Sequence, residues 1–114
     1  MKKRKTAEYY IEKILVNIDF VIENMSGVTK QEFEDNDLLQ DSMMFRLIQI
    51  SEDASRIDDI FKEKYDNIPW NAMRGLRHRI VHDYGHIDLS IVFHTLVKNI
   101  PELKIQLSKL LLLP

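Results

Sequence analysis

Residues 7–25 read AEYYIEKILVNIDFVIENM, and their spacing decides the fold class. Ala7, Ile11, Ile14, Ile18, Val21 and Met25 recur at alternating gaps of four and three, which on an α-helix collects them on one stripe. Leu15 and Ile22 widen that stripe beyond a narrow coiled-coil seam. Thr6 is placed to cap the start, and Ser26-Gly27 to stop the helix.

Outward from this helix the same rhythm returns. Met43, Leu47, Ile50, Ala54, Ile57 and Phe61 predict a second long helix that begins near Leu38 and carries its stripe through Phe61. Thr29-Lys30-Gln31-Glu32 is a capping box for a short helical turn between the two, and Asp35-Asn36-Asp37 breaks and re-caps the chain. Two long striped helices with a short connection predict an antiparallel pair. Pro69 near a first helical position starts a third helix, with Trp70, Met73, Leu76 and Ile80 inward and Gly85 as a left-handed stop. Asp88 caps a fourth, carrying Leu89, Val92, Phe93, Leu96 and Ile100. Pro101 restarts the chain into a short fifth helix with Leu103, Leu107 and Leu110, and the apolar Leu110–Leu113 tail packs on the bundle or meets a partner. The expectation is an all-α, up-and-down bundle of four to five helices, a single domain over residues 1–114.

Composition narrows the function. The 114 residues carry 16 Lys and Arg against 18 Asp and Glu, for a net charge of −2, so any nucleic-acid contact must come from a local patch. Cysteine is absent, which excludes disulfides, thiolate metal sites and a thiol nucleophile. No apolar run is long enough to cross a bilayer, and no apolar signal stretch follows the basic Lys2–Lys5 start, so the expected location is cytoplasmic, away from membranes.

One segment is unevenly charged. Arg74, Arg77, His78, Arg79, His82 and His86 fall close together, opposed only by Asp83, with Tyr84 among them. Histidine exchanges a proton near neutral pH, arginine stays cationic and holds phosphate, and together they suit phosphodiester chemistry on RNA, whose 2′-hydroxyl is a built-in nucleophile. Arg77 and His82 are five residues apart, so on a straight helix they diverge by about 140° unless the helix ends or bends between them. His78 and His82 are four apart and could share a metal. However, Arg79 follows His78 where a metalloprotease pattern needs Glu, and two ligands are a weak signal, so no metal is assigned. Each residue also has a plainer role open to it: Arg77 in an ion pair, His82 as a helix cap, Tyr84 as a packed aromatic. Trp70 reads as packing, and Met43 and Met44 as stripe or dimer face.

Arg77-His78-Arg79-Ile80-Val81-His82-Asp83-Tyr84 resembles the Arg-x4-6-His-x-Tyr signature of HepT-like toxins of the HEPN superfamily. Its flanks resemble the family too: Ile68-Pro69-Trp70, Met73-Arg74-Gly75-Leu76, Asp88-Leu89 and Pro101-Glu102-Leu103 stand in order at the family spacing. Ile50-Ser51-Glu52 stands where Ile-Gly-Glu is common, with Ser51 and Asp53 in place of the commoner Gly and Ala. The likeness covers roughly residues 7–108. It implies a HEPN-like bundle that forms a homodimer, its second and third helices bringing the two motifs together, and a metal-independent, cofactor-free endoribonuclease that is the toxin of a toxin–antitoxin pair. It implies Arg77 and His82 as catalytic residues, with His78 and Glu52 supporting them and Arg74 and Arg79 binding RNA. It also implies an MNT-type nucleotidyltransferase antitoxin that neutralises the toxin by adding AMP to Tyr84. The competing reading is a catalytically inactive helical partner or substrate-binding subunit of such a nucleotidyltransferase.

Overall fold

The computed structural model describes residues 6–112, so the basic Lys2–Lys5 segment and Leu113 of the tail lie outside the described residues. The chain runs α1 (Ala7–Met25), α2 (Lys30–Glu34), α3 (Asp37–Ser55), α4 (Asp59–Lys64), α5 (Trp70–Asp83), α6 (Leu89–His94) and α7 (Ile100–Leu111), with no strand among the described residues. A 3-10 turn (Tyr84–His86) follows α5, and a wide π turn (Thr95–Asn99) joins α6 to α7. Four long rods therefore form the bundle: α1, α3, α5 and the composite α6–α7. The short α2 and α4 are helical connectors. No helix of the described residues is long and apolar enough to cross a membrane.

The expected stripes form the core. Ile11, Ile14, Ile18 and Val21 of α1 meet Met43, Met44, Leu47 and Ile50 of α3, all buried. Met43 and Met44 are thus core residues. Burying each such side chain contributes roughly 1.5–3 kcal/mol. α1 and α3 run antiparallel, because Arg46 donates to Asn17 at 2.9 Å while Lys13 lies 3.6 Å from Asp53. Arg46 also stacks over Phe20, 3.8 Å from the ring centre. Lys104 ties α7 to Asp19 of α1 at 2.7 Å. Phe33 on α2 is fully buried against Phe93 of α6.

The caps follow the sequence closely. Thr6 Oγ1 accepts from the Tyr9 amide, Asn36 from Leu39, and Asp88 from Ser90. Thr29 and Glu32 close their reciprocal box, and the hydrogen bonds from Thr29 hold the Glu32 carboxyl below its usual pKa. Gly27 has φ +74, a left-handed conformation that lets the chain turn sharply after α1.

Four expectations are corrected. The second long helix stops at Ser55 although its apolar stripe continues through Ile57. Ser55 donates to the Glu52 carbonyl at 2.6 Å and Asp58 caps a new helix by accepting from the Phe61 amide at 2.9 Å, so local side-chain bonds break the backbone ladder. Pro69 stands at the cap of α5, one residue earlier than its expected helical position. Gly85 is not left-handed: α5 tightens into the 3-10 turn and the chain leaves in an extended conformation at Ile87. Pro101 does not divide the C-terminal rod. Proline has no N–H and its ring would crowd the carbonyl four residues back. The preceding turn widens instead, with the Ile100 amide reaching Thr95, and the helix continues.

Candidate active site

α5 packs antiparallel to α3, and Ser51 sets how closely. Its side chain is buried, with the hydroxyl oxygen 2.9 Å from the Met73 carbonyl and 3.0 Å from that of Leu47. A small hydroxyl at this point lets the two backbones approach. Met73 and Ile80 point α5 into the core. The rest of the helix is then oriented by the 100° step per residue.

Arg77 stands on the edge of α5 that faces α3. Its Nη2 donates to Glu52 Oε1 at 3.2 Å, with both side chains about a third or more exposed, 41% and 32%. Glu52 thus holds and orients the Arg77 guanidinium. Tyr84 lies seven residues on, two turns along the same edge. Its hydroxyl donates to Asp41 of α3. Partial burial, then the hydrogen bond and charge of Asp41, push the Tyr84 pKa up to about 12. Asp41 and Glu52 are eleven apart, three turns of α3, so two polar ties close opposite ends of one seam. Between them Phe45 (54% exposed) and Val81 (46%) leave an apolar patch on the surface.

His78 and His82 occupy the outer face of α5, with ring centres 4.3 Å apart and planes tilted by 46°. His82 is exposed and Arg77 half-buried. The helix runs unbroken from Arg77 to Asp83, so the end or bend considered between Arg77 and His82 does not occur and they diverge by about 140°. Arg74 is exposed and donates to Asn71 at 3.2 Å. Arg79, also exposed, stands on the flank of the histidine pair away from Arg77, about 160° from it. His86 is exposed in the 3-10 turn. Trp70 packs half-buried and donates to the Tyr65 carbonyl at 3.1 Å. Among the described residues no group of three or more His, Cys, Asp or Glu could hold a metal ion, so His78 and His82 have no third ligand of those types. A groove of about 610 Å³ between the end of α3, α4 and the start of α5 includes Arg74 but not Arg77, His82 or Tyr84.

The arrangement provides a guanidinium and a solvent-open imidazole on α5, a carboxylate on α3 that holds the guanidinium, and a phenol in the turn that follows α5. Such a guanidinium can bind two phosphate oxygens, and the imidazole can move a proton. Sequence reasoning did not single out Asp41, Phe45 or Val81 for the site. The available signal was spacing: Asp41, Phe45 and Glu52 recur along one edge of α3, as Arg77, Val81 and Tyr84 recur along the edge of α5 that faces it.

The family model described as "Ribonuclease HepT-like" matches residues 14–110. A candidate RNase of Caldanaerobacter subterraneus subsp. tengcongensis is 31% identical over 107 residues, 94% of this chain and 96% of its own length. A candidate RNase of Methanocaldococcus jannaschii is 29% identical, covering 89% of this chain and 93% of its own. A HepT-type candidate ribonuclease of Thermococcus cleftensis is 26% identical, covering 94% and 97%. No solved structure matches. With the family model spanning most of the chain and these relatives aligned nearly end to end, this all-α protein belongs to the HepT-like ribonuclease family.

Proposed function

We propose that the protein is the toxin of a toxin–antitoxin pair: a metal-independent, cytoplasmic endoribonuclease that works as a homodimer and is neutralised by AMPylation of Tyr84. The observation that carries this reading is Arg77, held by Glu52 on the exposed helix that also presents His82, in a chain of a ribonuclease family. In the reaction the 2′-oxygen of a ribose bonds to the adjacent phosphorus while the bond to the 5′-oxygen breaks. One His82 takes the 2′-hydroxyl proton and a second His82 protonates the departing 5′-oxygen. Arg77 stabilises the charge that gathers on the phosphoryl oxygens. His78 supports His82 through ring contact, and Arg74 and Arg79 hold flanking phosphates. DNA is refused for lack of the 2′-hydroxyl.

A second His82 requires a second copy of the chain. Within one chain Arg77 and His82 diverge, and a two-fold interface would present each patch twice. The exposed Phe45 and Val81 between the polar ties support an interface through α3 and α5. An MNT-type nucleotidyltransferase is the partner in this reading. AMP on Tyr84 would set a phosphate on the edge of α5 that carries Arg77, competing with RNA by charge and volume.

The test is RNA cleavage by purified protein in EDTA. Wild type should yield 2′,3′-cyclic phosphate ends and leave DNA intact, and Phe45→Asp should give monomers without activity. Cleavage that needs an added divalent ion would overturn the metal-free route. Equal cleavage by His82→Ala would remove His82 from it. The competing reading, an inactive acceptor subunit, draws support from the three carboxylates of Asp41, Glu52 and Asp83, which offset the three arginines around the site. It expects no cleavage and no growth arrest when the chain is expressed alone, yet the same AMP mass increments on co-expression with the nucleotidyltransferase.

A further inference from the structure

We propose that Asp41 is the positioning residue and proton acceptor for nucleotide transfer onto Tyr84. The proposal rests on the reading of Tyr84 as the acceptor and adds the group that makes it reactive. Tyr84 lies in the short turn after α5, whereas Asp41 stands on the second turn of α3, a 19-residue helix anchored in the core. The hydrogen bond between them joins residues 43 apart in the chain and uses the single proton the phenol has. It therefore fixes the direction of the hydroxyl and places a base on the proton that must leave. Titratable residues close to the pair in sequence are His82 and Asp83 on α5, His86 in the turn and Asp37 one turn before Asp41. The hydroxyl's hydrogen bond goes to Asp41.

A protonated phenol is a weak nucleophile. With its pKa pushed up to about 12, Tyr84 is almost never ionised at neutral pH, so the proton must leave as the attack proceeds. The step balances as follows. Tyr84 Oη bonds to the α-phosphorus of a nucleoside triphosphate, and the bond from that phosphorus to the bridging oxygen breaks. Pyrophosphate departs with the electron pair, and the phenol proton passes to the Asp41 carboxylate. The product has no phenol proton, so the tie between the turn and α3 is lost, and a new negative charge stands near Asp41.

The experiment uses the full chain, an MNT-type nucleotidyltransferase and ATP, and follows AMP incorporation by intact mass from pH 7 to 9.5. Wild type should be modified, and Asp41→Asn should be modified about 10²–10⁴-fold more slowly. The wild-type to variant rate ratio should fall as pH rises and hydroxide replaces the missing base, and Asp41→Glu should recover part of the rate. A separate ultraviolet titration of tyrosinate, with Tyr84→Phe subtracted, should find Tyr84 ionising at lower pH in Asp41→Asn than in wild type. If wild type is not modified, the acceptor reading fails and the proposal with it. If wild type is modified and Asp41→Asn matches it at every pH, the Asp41 proposal alone is overturned.

Discussion

Glu52 and Asp53 are consecutive carboxylates on α3 that hold cations on different sides of the helix. Glu52 faces α5 at the surface and meets Arg77 at 3.2 Å. Asp53 faces α1, its side chain only 3% exposed, with Lys13 and Arg56 each 3.6 Å from Oδ1 and no hydrogen bond to Oδ2. One helix step of about 100° separates a carboxylate that aims a guanidinium at solvent from one sealed into a packed layer. The α3–α5 side holds its side chains in place with polar ties and leaves them accessible, whereas the α1–α3 side gains its stability from apolar burial. The lesson is that a charge can act on a substrate only on the side the core does not cover. Substitutions on the two sides should therefore separate activity from stability.

The largest effect belongs to the accessible side. His82→Ala should lower the rate of RNA cleavage by about 10²–10⁴-fold, the usual size of a lost acid–base group. Because His82 is exposed, the thermal midpoint should stay within a degree or two of wild type, about what a change of a few tenths of a kcal/mol produces. Cleavage assays and a melting curve on the same preparation check both halves. A large fall in the midpoint would mean that the histidine face is structural.

Ser51 lies where the two sides meet. Ser51→Leu should force α5 away from α3 and cost about 1–3 kcal/mol in urea unfolding, with a loss of cleavage because Arg77 and Glu52 separate. Full activity in this variant would show that the seam does not position the site. Glu52→Gln is the gentler version. The pair is too exposed to add more than about 1 kcal/mol to stability. Releasing Arg77 should nevertheless lower cleavage about tenfold, since an aimed guanidinium is worth more to charge stabilisation than a free one.

The same division explains what could be read from the chain itself. The α1–α3 layer was legible because one-sided burial writes a period into the sequence, from Ile11 to Met25 and again from Met43 to Ala54. That rhythm also misled. Ile57 is buried and keeps the stripe going past the break, so only the capping aspartate Asp58 marked where α3 had ended. Pro101 misled in the opposite direction, since a widened turn upstream absorbs a residue that usually ends a helix. At the site, Arg77, His82 and Tyr84 were visible as a motif within one segment. Asp41 was not, because its meaning comes from the antiparallel register of α3 and α5, a property of two segments together. Gly85 suggested a left-handed stop, but a 3-10 turn needs no positive φ.

The smallest expected effect tests the sealed side. Asp53→Ala removes a carboxylate that lost its water on folding and regained only two 3.6 Å ion pairs, with one oxygen left without a partner. Lys13 and Arg56 are about half exposed, so both cations return to water at little cost. Alanine also favours a helix interior over aspartate by roughly 0.6 kcal/mol. Replacing a buried ion pair with an apolar side chain is often neutral or stabilising. Stability in urea unfolding should therefore stay level or rise by about 1 kcal/mol, with cleavage unchanged. A loss beyond about 3 kcal/mol would show that the buried pairs clamp α1 to α3, and the contrast between the neighbouring carboxylates would then be one of location and not of task. If Asp53→Ala leaves cleavage intact while Glu52→Gln lowers it at constant stability, two adjacent residues of like charge divide cleanly, and the side of α3 on which each stands is what divides them.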